Sequence, residues 1–280
     1  MFILTADHYH HQQLIKDNFT LSTWLLVGAF FQGLLSLLPY PNLALIFPVV
    51  FILLCKLLHT AAMCFGLVKN PYMDGVIPGH TAAVYPTEKG PAESPAQSSL
   101  CAILLGTRSN HPLGMLAPGY KEIGDRFRAM IALLDKDATN LGFLGSSVWL
   151  SCGDRGVASE FMSMVYFENE EKLHEFAHGP LHTETMQWWA STVKQHGHLQ
   201  IMHEVYAAPR KSWEGIYVNC APTGIGATTK ESIVDGQRVW INPLARAKGR
   251  LRYSKGRMDR PYSEKTEWSG FEEASTGQYY

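Results

Sequence analysis

Residues 21–66 form a block that is almost free of charge, and this block limits what the chain can fold into. Lys56 is its only formally charged residue. Its two apolar runs, 21–38 and 43–65, approach or exceed the roughly 20 apolar residues that a helix needs to cross a bilayer. The segment 39–42, Pro-Tyr-Pro-Asn, lies between them and is dense in helix breakers. The pattern predicts a two-helix transmembrane hairpin.

A cleaved secretory signal followed by one span is the competing interpretation of the block. The polar segment before it carries Asp7, Lys16 and Asp17 and is not a compact basic start, so the hairpin is favoured. A short turn brings both ends of a hairpin to one side of the membrane. Basic residues outside the block favour the cytosolic side, and we expect a multi-pass protein of the endoplasmic reticulum facing the cytosol.

The remainder of the 280 residues has room for one domain of ordinary size. A net charge of −1 and a hydrophobic content of 46% argue against disorder and against a strongly basic nucleic-acid binder. Five cysteines, an odd number, do not indicate a disulfide scaffold. The predicted organisation is a polar segment 1–20, the hairpin 21–66, a linker 67–100, an α+β domain 101–235 and a partly basic extension 236–280.

Within 101–235 the periodicity predicts a ferredoxin-like β-α-β-β-α-β domain. A Gly-Asp-Arg-Gly turn at 153–156 joins the second and third strands. The predicted elements are strand 102–106, helix 119–136, strands 142–152 and 157–167, a broken helix 170–195, strand 199–207 and a further strand at 214–219. Two helices cover one sheet face, and the uncovered face makes a homodimer the expected assembly.

Histidines are the residues best suited to chemistry here, because the chain has twelve and three of them recur every fourth residue. His174, His178 and His182 would align on an unbroken helix, but Pro180 predicts a stop at Gly179 and a new helix beyond it. His178 and His182 then flank a kink. Neither HExxH nor CxxC occurs, so no metal site is predicted.

Three further groups of residues are candidates, each with a structural alternative. His203 on the last strand is a catalytic group or a core histidine bonded to a backbone carbonyl. Arg108 and Asn110 are donors for a substrate oxygen or parts of a turn. Strand aromatics such as Trp149 and Tyr166 are pocket walls or core.

Four stretches, at 105–120, 173–189, 203–219 and 248–258, resemble a family of fungal membrane-anchored monooxygenases from secondary-metabolite gene clusters. The family includes a polyene-cleaving enzyme of the fumagillin pathway and is related to antibiotic-biosynthesis monooxygenases. The resemblance implies a dimeric α+β barrel. It also implies oxidation of a lipophilic polyketide- or terpenoid-like substrate by dioxygen, without a cofactor. Haem-dependent dehydratases and peroxidases share the fold, so haem is the alternative.

Cofactor-independent oxidation needs a base, donors for an oxyanion and a dry aromatic pocket. From the residues we predict His178 or His182 as the base, with His203 second. Arg108 and Asn110 are the predicted donors, and the predicted pocket residues are Trp149, Trp189 and Tyr166. A non-catalytic, membrane-tethered binding module is the hypothesis from a different class.

Overall fold

The computed structural model describes residues 15–87, 90, 94–151 and 156–263, and these residues fall into two compact units. The described residues up to Asp74, with 156–158, form the first unit, and the rest form the second. Most of the polar segment 1–20, residues 153–155 of the predicted turn and the end of the extension 236–280 lie outside the described residues.

The first unit contains the two apolar helices, α1 (Leu21–Leu35) and α2 (Pro41–Cys64). The Thr20 side chain caps α1 by accepting from the Thr23 amide at 3.2 Å. The Gln32 side chain donates to the Leu45 carbonyl, which ties the helices together and gives this polar group a partner. Neither helix has a buried residue.

Only α2, among the residues that the structure describes, is long and apolar enough to cross a membrane. It has 24 residues and a mean hydropathy of 2.3 over its most apolar window. The first of the two predicted spans, 21–38, is shorter in the structure, where α1 has 15 residues. At about 1.5 Å per residue, α1 is shorter than the hydrocarbon core of a bilayer, about 30 Å thick.

The second unit is built on a four-stranded antiparallel sheet with the strand order β3-β4-β2-β5. This order confirms the predicted ferredoxin-like unit, in which each helical stretch connects two strands. Its elements are β2 (Leu100–Ser109), α3 (Tyr120–Lys136), the short α4 (Ala138–Leu141), β3 (Phe143–Leu150), β4 (Phe161–Phe167), α5 (Glu170–Ala177), α6 (Pro180–Thr192) and β5 (Leu199–Ala208).

The two faces of this sheet pack against different partners, because successive side chains of a strand point to opposite sides. On the helix face, Cys101, Val165 and Phe167 pack with Leu134 of α3 and Leu173 of α5. On the opposite face, residues of the sheet form a second core with buried residues from outside it. This second core comprises Leu100, Leu144, Tyr166, Ala83, Tyr85, Ala96 and Trp213.

The prediction of a linker at 67–100 is wrong from Gly75 onward, because this part of the chain belongs to the second unit. It contains β1 (Ile77–Ala83), and Tyr85 and Ala96 are buried. β1 is the central strand of a sheet with the order β6-β1-β9, in which β6 is Ile216–Cys220 and β9 is Leu244–Arg246. The strand predicted at 214–219 therefore exists but belongs to this second sheet.

The extension 236–280 is more ordered in its described part than its polar composition predicts. It supplies β8 (Gln237–Ile241), which pairs with β7 (Lys230–Val234), as well as β9 and the short α7 (Ser254–Arg257). Arg257 is 6% exposed, ion-pairs with Glu214, and donates to the Leu251 and Arg252 carbonyls at 3.0 Å. The basic run thus holds the chain against its own domain.

Removing a large side chain from the helix-face core should destabilise the second unit. Phe167 is 1% exposed and contacts the Phe143 and Phe176 rings at centroid distances of 6.1 and 6.2 Å. We expect Phe167→Ala to lower the free energy of unfolding by about 3–5 kcal/mol. Urea unfolding of the full chain measures this, with the exposed Leu116→Ala as a control that should change it by less than about 1 kcal/mol. Equal effects of the two variants would contradict the assigned core.

Candidate functional site

The break between α5 and α6 places two histidines at a helix junction, as Pro180 predicts. His178 ends α5, and its amide donates to the His174 carbonyl at 3.0 Å. Gly179 is extended, with φ −69° and ψ 161°, and Pro180 is the first residue of α6. His178 is exposed, and its Nδ1 lies 2.8 Å from the His174 carbonyl oxygen. Its position is thus fixed by its own helix.

His182 lies one turn into α6 and is the more enclosed of the pair. Its ring meets the Phe176 ring edge-on at 6.0 Å, beside the helix-face core. Its Nδ1 is buried and has no hydrogen-bond partner among the described residues. Burial lowers the pKa of His182, while the Ala177 carbonyl acts in the opposite direction. The neutral imidazole is therefore favoured at neutral pH.

His203 joins these two histidines on the helix face of the sheet. It lies opposite Leu105 of β2, whose side chain packs in the helix-face core, and cross-strand partners share a face. A charge on His203, and one on His178, would each lower the pKa of His182 further, so both of these imidazoles lie within electrostatic range of His182. The structure therefore gathers His178, His182 and His203, from two helices and a strand.

Two apolar stripes flank this histidine group, one on α6 and one on β5. Met186 and Trp189 follow His182 at spacings of four and seven, which places them on the same side of α6. On β5, Ile201 and Val205 flank His203 and are 44% and 43% exposed. We call the three histidines and these four apolar residues the histidine cleft: His178, His182, His203, Met186, Trp189, Ile201 and Val205. Trp189, a predicted pocket residue, belongs to this side.

The predicted oxyanion donors do not join the histidine cleft. Arg108 lies three residues along β2 from Leu105, so its side chain is on the opposite face of the sheet. Asn110 is exposed just beyond β2, where its amide donates to the His198 carbonyl at 2.6 Å. Sequence reasoning placed these residues with the histidines, but the parity of the β2–β5 register separates Arg108 from them.

The other two predicted pocket residues also lie on the opposite face. Tyr166 is 5% exposed within the second core, and burial raises its pKa to about 12. Trp149 pairs with Met162 of β4, and Met162 pairs with Gly106 of β2, so Trp149 shares the face of the even-numbered residues of β2. The side chain of Trp149 is 42% exposed. Tyr166 is therefore a core residue, the structural alternative named for the strand aromatics, and Trp149 is remote from Trp189.

A second histidine group, which sequence reasoning missed, lies where β2 ends and β5 begins. His198 contacts His111 and His196 at ring-centroid distances of 5.1 and 5.7 Å. A Cβ on Gly119, whose φ is +79°, would come within 3.0 Å of the His196 ring. The available signal was the His-x-His spacing at 196 and 198, but the approach of His111 depends on strand pairing.

The described residues do not bring together a set of side chains that could hold a metal ion by themselves. They contain no group of three or more histidine, cysteine or acidic residues that could hold a metal ion. A cavity of about 380 Å³ lies between β3 and the β7–β8 hairpin, and none of its lining residues is a histidine. Its walls include the Lys230–Glu168 ion pair, at 2.8 Å.

Comparison with known proteins identifies a family and a relative. Residues 100–225 match a family described as Monooxygenase af470-like. The chain is 34% identical to Monooxygenase af470 of Aspergillus fumigatus over 238 residues, which cover 83% of this chain and 84% of that protein. The match to the relative extends well beyond the matched family region.

Solved structures with related shapes are more distant. An aldoxime dehydratase in complex with butyraldoxime is 12% identical, with a TM-score of 0.39, covering 53% of this chain and 39% of that chain. The cofactor-independent oxygenase SnoaB from Streptomyces nogalater is 11% identical, with a TM-score of 0.26, covering 40% of this chain and 93% of that chain. Both TM-scores are low, so neither match assigns a fold or a reaction to this chain.

The lowered pKa of His182 has a consequence for stability in acid. Its pKa in the folded state lies below the 6.5 of an ordinary histidine, so the unfolded state binds more protons as the pH falls. The free energy of unfolding should therefore decrease as the pH falls below about 6.5. We expect His182→Gln to lose less stability between pH 7.5 and pH 5 than the parent. Urea unfolding at both pH values measures this.

The matched control is His174→Gln, an exposed histidine on α5. It should show the same loss of stability in acid as the parent. An identical pH dependence in the parent and in His182→Gln would contradict the assigned burial of this imidazole.

Proposed function

The chain belongs to the Monooxygenase af470-like family, and from this premise we propose that it oxidises a lipophilic polyketide- or terpenoid-like intermediate of secondary metabolism with dioxygen at the histidine cleft. The observation that carries the choice of site is the buried, unpartnered Nδ1 of His182. A neutral imidazole nitrogen out of water and without a hydrogen bond among the described residues is suited to accept a proton. The apolar stripes on either side suit a substrate without charge.

His182 acts as the general base in this proposal, and its two neighbours move the proton onward. His182 removes a proton from an acidic C–H or O–H of the substrate, and the resulting anion reacts at carbon with dioxygen to form a hydroperoxide. The hydroperoxide then loses water together with a hydrogen of the same carbon, so that the O–O bond breaks, one oxygen stays as a carbonyl and the other leaves as water. The electrons come from the substrate, so the protein supplies positioning and proton transfer. His178 and His203 are exposed, and either relays the proton from the enclosed His182 to solvent. Trp189 and Met186 form the apolar wall on α6.

No cofactor is part of this proposal. Haem was the alternative implied by resemblance, and the cavity beside β3 has no histidine among its lining residues. No step is therefore assigned to haem. Arg108, Asn110, Trp149 and Tyr166 have no role at the histidine cleft, because none of them lies there.

Membrane attachment through the apolar block is a further part of the proposal. The length and hydropathy of α2 support one crossing, and the Gln32–Leu45 hydrogen bond supports α1 as its companion in a hairpin. A lipophilic substrate partitions into a bilayer, so an anchored enzyme meets it at high local concentration. We place the protein in the endoplasmic reticulum with its second unit in the cytosol.

A homodimer completes the proposal. Ile201 and Val205 are exposed on the same face of β5, which is an edge strand of the four-stranded sheet. Exposed apolar groups on a sheet mark a surface that another chain covers.

The experiment is oxygen-dependent turnover by the full chain in detergent. A conjugated polyene alcohol and an alkylphenol are incubated under oxygen and under argon, and products are followed by mass spectrometry. We expect an oxygen-dependent product, and a loss of about 100-fold or more in rate for His182→Ala, because general bases contribute about 10²–10⁴-fold. His174→Ala, the exposed control, should stay within about two-fold of the parent.

Two other results would change the conclusion. Full activity of His182→Ala would show that His182 is not the general base, and the proposed class of reaction would still stand. Binding of both compounds with no oxygen-dependent product would favour the membrane-tethered binding module.

A further inference from the structure

α6 carries the proposed base and the apolar wall of the histidine cleft, but none of its own 13 residues is buried. The other helices of the sheet's helix face are better anchored, because α3 buries Ile123 and Leu134 and α5 buries Leu173. α6 also begins at a helix break, so it does not continue the axis of α5. Contacts from outside α6 must therefore fix its position and its rotation about its own axis.

Arg126 of α3 supplies two such contacts. Its guanidinium lies over the Trp188 ring, with Cζ 4.6 Å from the ring centroid, and its Nη1 is 3.6 Å from Glu184 Oε1. Its Nη2 donates to Glu122 Oε1 at 3.3 Å, which orients the guanidinium from its own helix. The Arg126 side chain is 22% exposed and its Nε atom is buried, so protein encloses most of it.

These contacts are on the side of α6 that faces away from the histidine cleft. Glu184 and Trp188 are about 200° and 240° around the helix from His182, at about 100° per residue. Trp189 returns to within about 20° of His182. Arg126 therefore holds α6 from the far side, and a rotation that broke its two contacts would turn His182 and Trp189 together.

We infer that Arg126 is a positioning residue for the histidine cleft. By binding Trp188 and Glu184 it fixes the rotation of α6, and this rotation sets the orientation of His182. A guanidinium is suited to the task, because its planar face stacks on an indole while its N–H groups point to a carboxylate, and a lysine ammonium has no such plane. This role rests on His182 being the base of the proposed function, and it adds what holds that imidazole in place.

Modification of the full chain by diethyl pyrocarbonate measures the accessibility of His182 without any need for turnover. The reagent acylates neutral imidazole nitrogens that solvent reaches, and peptide mass spectrometry gives the rate at each histidine. Arg126→Met keeps the length of the side chain and removes its charge. We expect it to raise the rate at His182 by about three-fold or more, an effect of the size that such weak contacts supply. The rate at the exposed His174 should not change.

Three further variants make this result specific. Trp188→Leu removes the same contact from the α6 side, should also raise the rate at His182, and decides the question if Arg126→Met does not fold. Arg126→Lys keeps the charge and should give a rate between those of the parent and Arg126→Met. Arg128→Met is the matched control, because Arg128 is on the same helix and ion-pairs with Asp125 of that helix. It should leave the rate at His182 unchanged.

Oxygen-dependent turnover of the conjugated polyene alcohol is measured in the same variants. We expect Arg126→Met to be slower by about ten-fold, because a small misplacement of a catalytic group lowers the rate steeply. Arg126→Lys should recover most of the lost rate, and Arg128→Met should match the parent.

The outcomes separate the positioning role from the proposed function. An unchanged rate of modification at His182 in Arg126→Met overturns the role, and so does an equal rise at His174, which would mean a general loosening of the second unit. A loss of turnover without a change at His182 overturns it as well, because the effect would not pass through α6. A parent without any oxygen-dependent product, combined with selective modification of His182 in Arg126→Met, contradicts the proposed function and leaves Arg126 as the residue that positions α6.

Discussion

The backbone pairing of β2 is the interaction on which the second unit depends. β2 pairs with β5 from Leu100 to Ser109 and with β4 from Cys101 to Thr107, and neither ladder has a break in register. Regular pairing on both sides fixes which residues of three strands share a face. It thereby separates a helix-face core from a second core on the opposite face. A slip of one residue would move His203 away from the helices.

The same constraint explains the chemistry available on each face. The helix face receives the histidines, because the Pro180 kink directs His182 toward Phe176 and the register directs His203 to that side. The opposite face is filled near Tyr166 by segments remote in sequence, including Tyr85 and Trp213, whose rings meet at 5.6 Å. Burial favours the neutral form of an ionisable group on both faces. It raises the pKa of Tyr166, whose charged form is the anion, and lowers the pKa of His182, whose charged form is the cation.

Local patterns in the sequence predicted the elements of the ferredoxin-like unit and its broken helix. Residues 119–136 show an apolar spacing that indicates one helix, and Pro180 alone is enough to predict the kink. The three-stranded sheet was not predictable in this way. Its central strand is Ile77–Ala83, which contains Pro78, Gly79 and His80 and pairs with residues more than 130 positions away. The local periodicity of a strand does not indicate which distant segment of the chain it pairs with.

The candidate site shows the same division between local and distant information. Alternation within β5 separated His203 from Glu204, and this needed only the strand itself. Whether Arg108 lies beside His203 depends on the β2–β5 register, which single-strand patterns do not contain. The histidines of the cleft were therefore predictable as candidates, whereas their separation from Arg108, Trp149 and Tyr166 required the fold.

The central claim is that the substrate binds on the helix face of the four-stranded sheet. Photolabelling of the full chain with a diazirine-bearing fatty alcohol tests it most directly, with labelled residues within 100–225 mapped by mass spectrometry. We expect labels on the α6 and β5 stripes, at Met186, Trp189, Ile201 and Val205, and excess unlabelled alcohol should compete them away. Competed labels on Trp149, Met162 and Leu104 instead would place the substrate on the opposite face and contradict it.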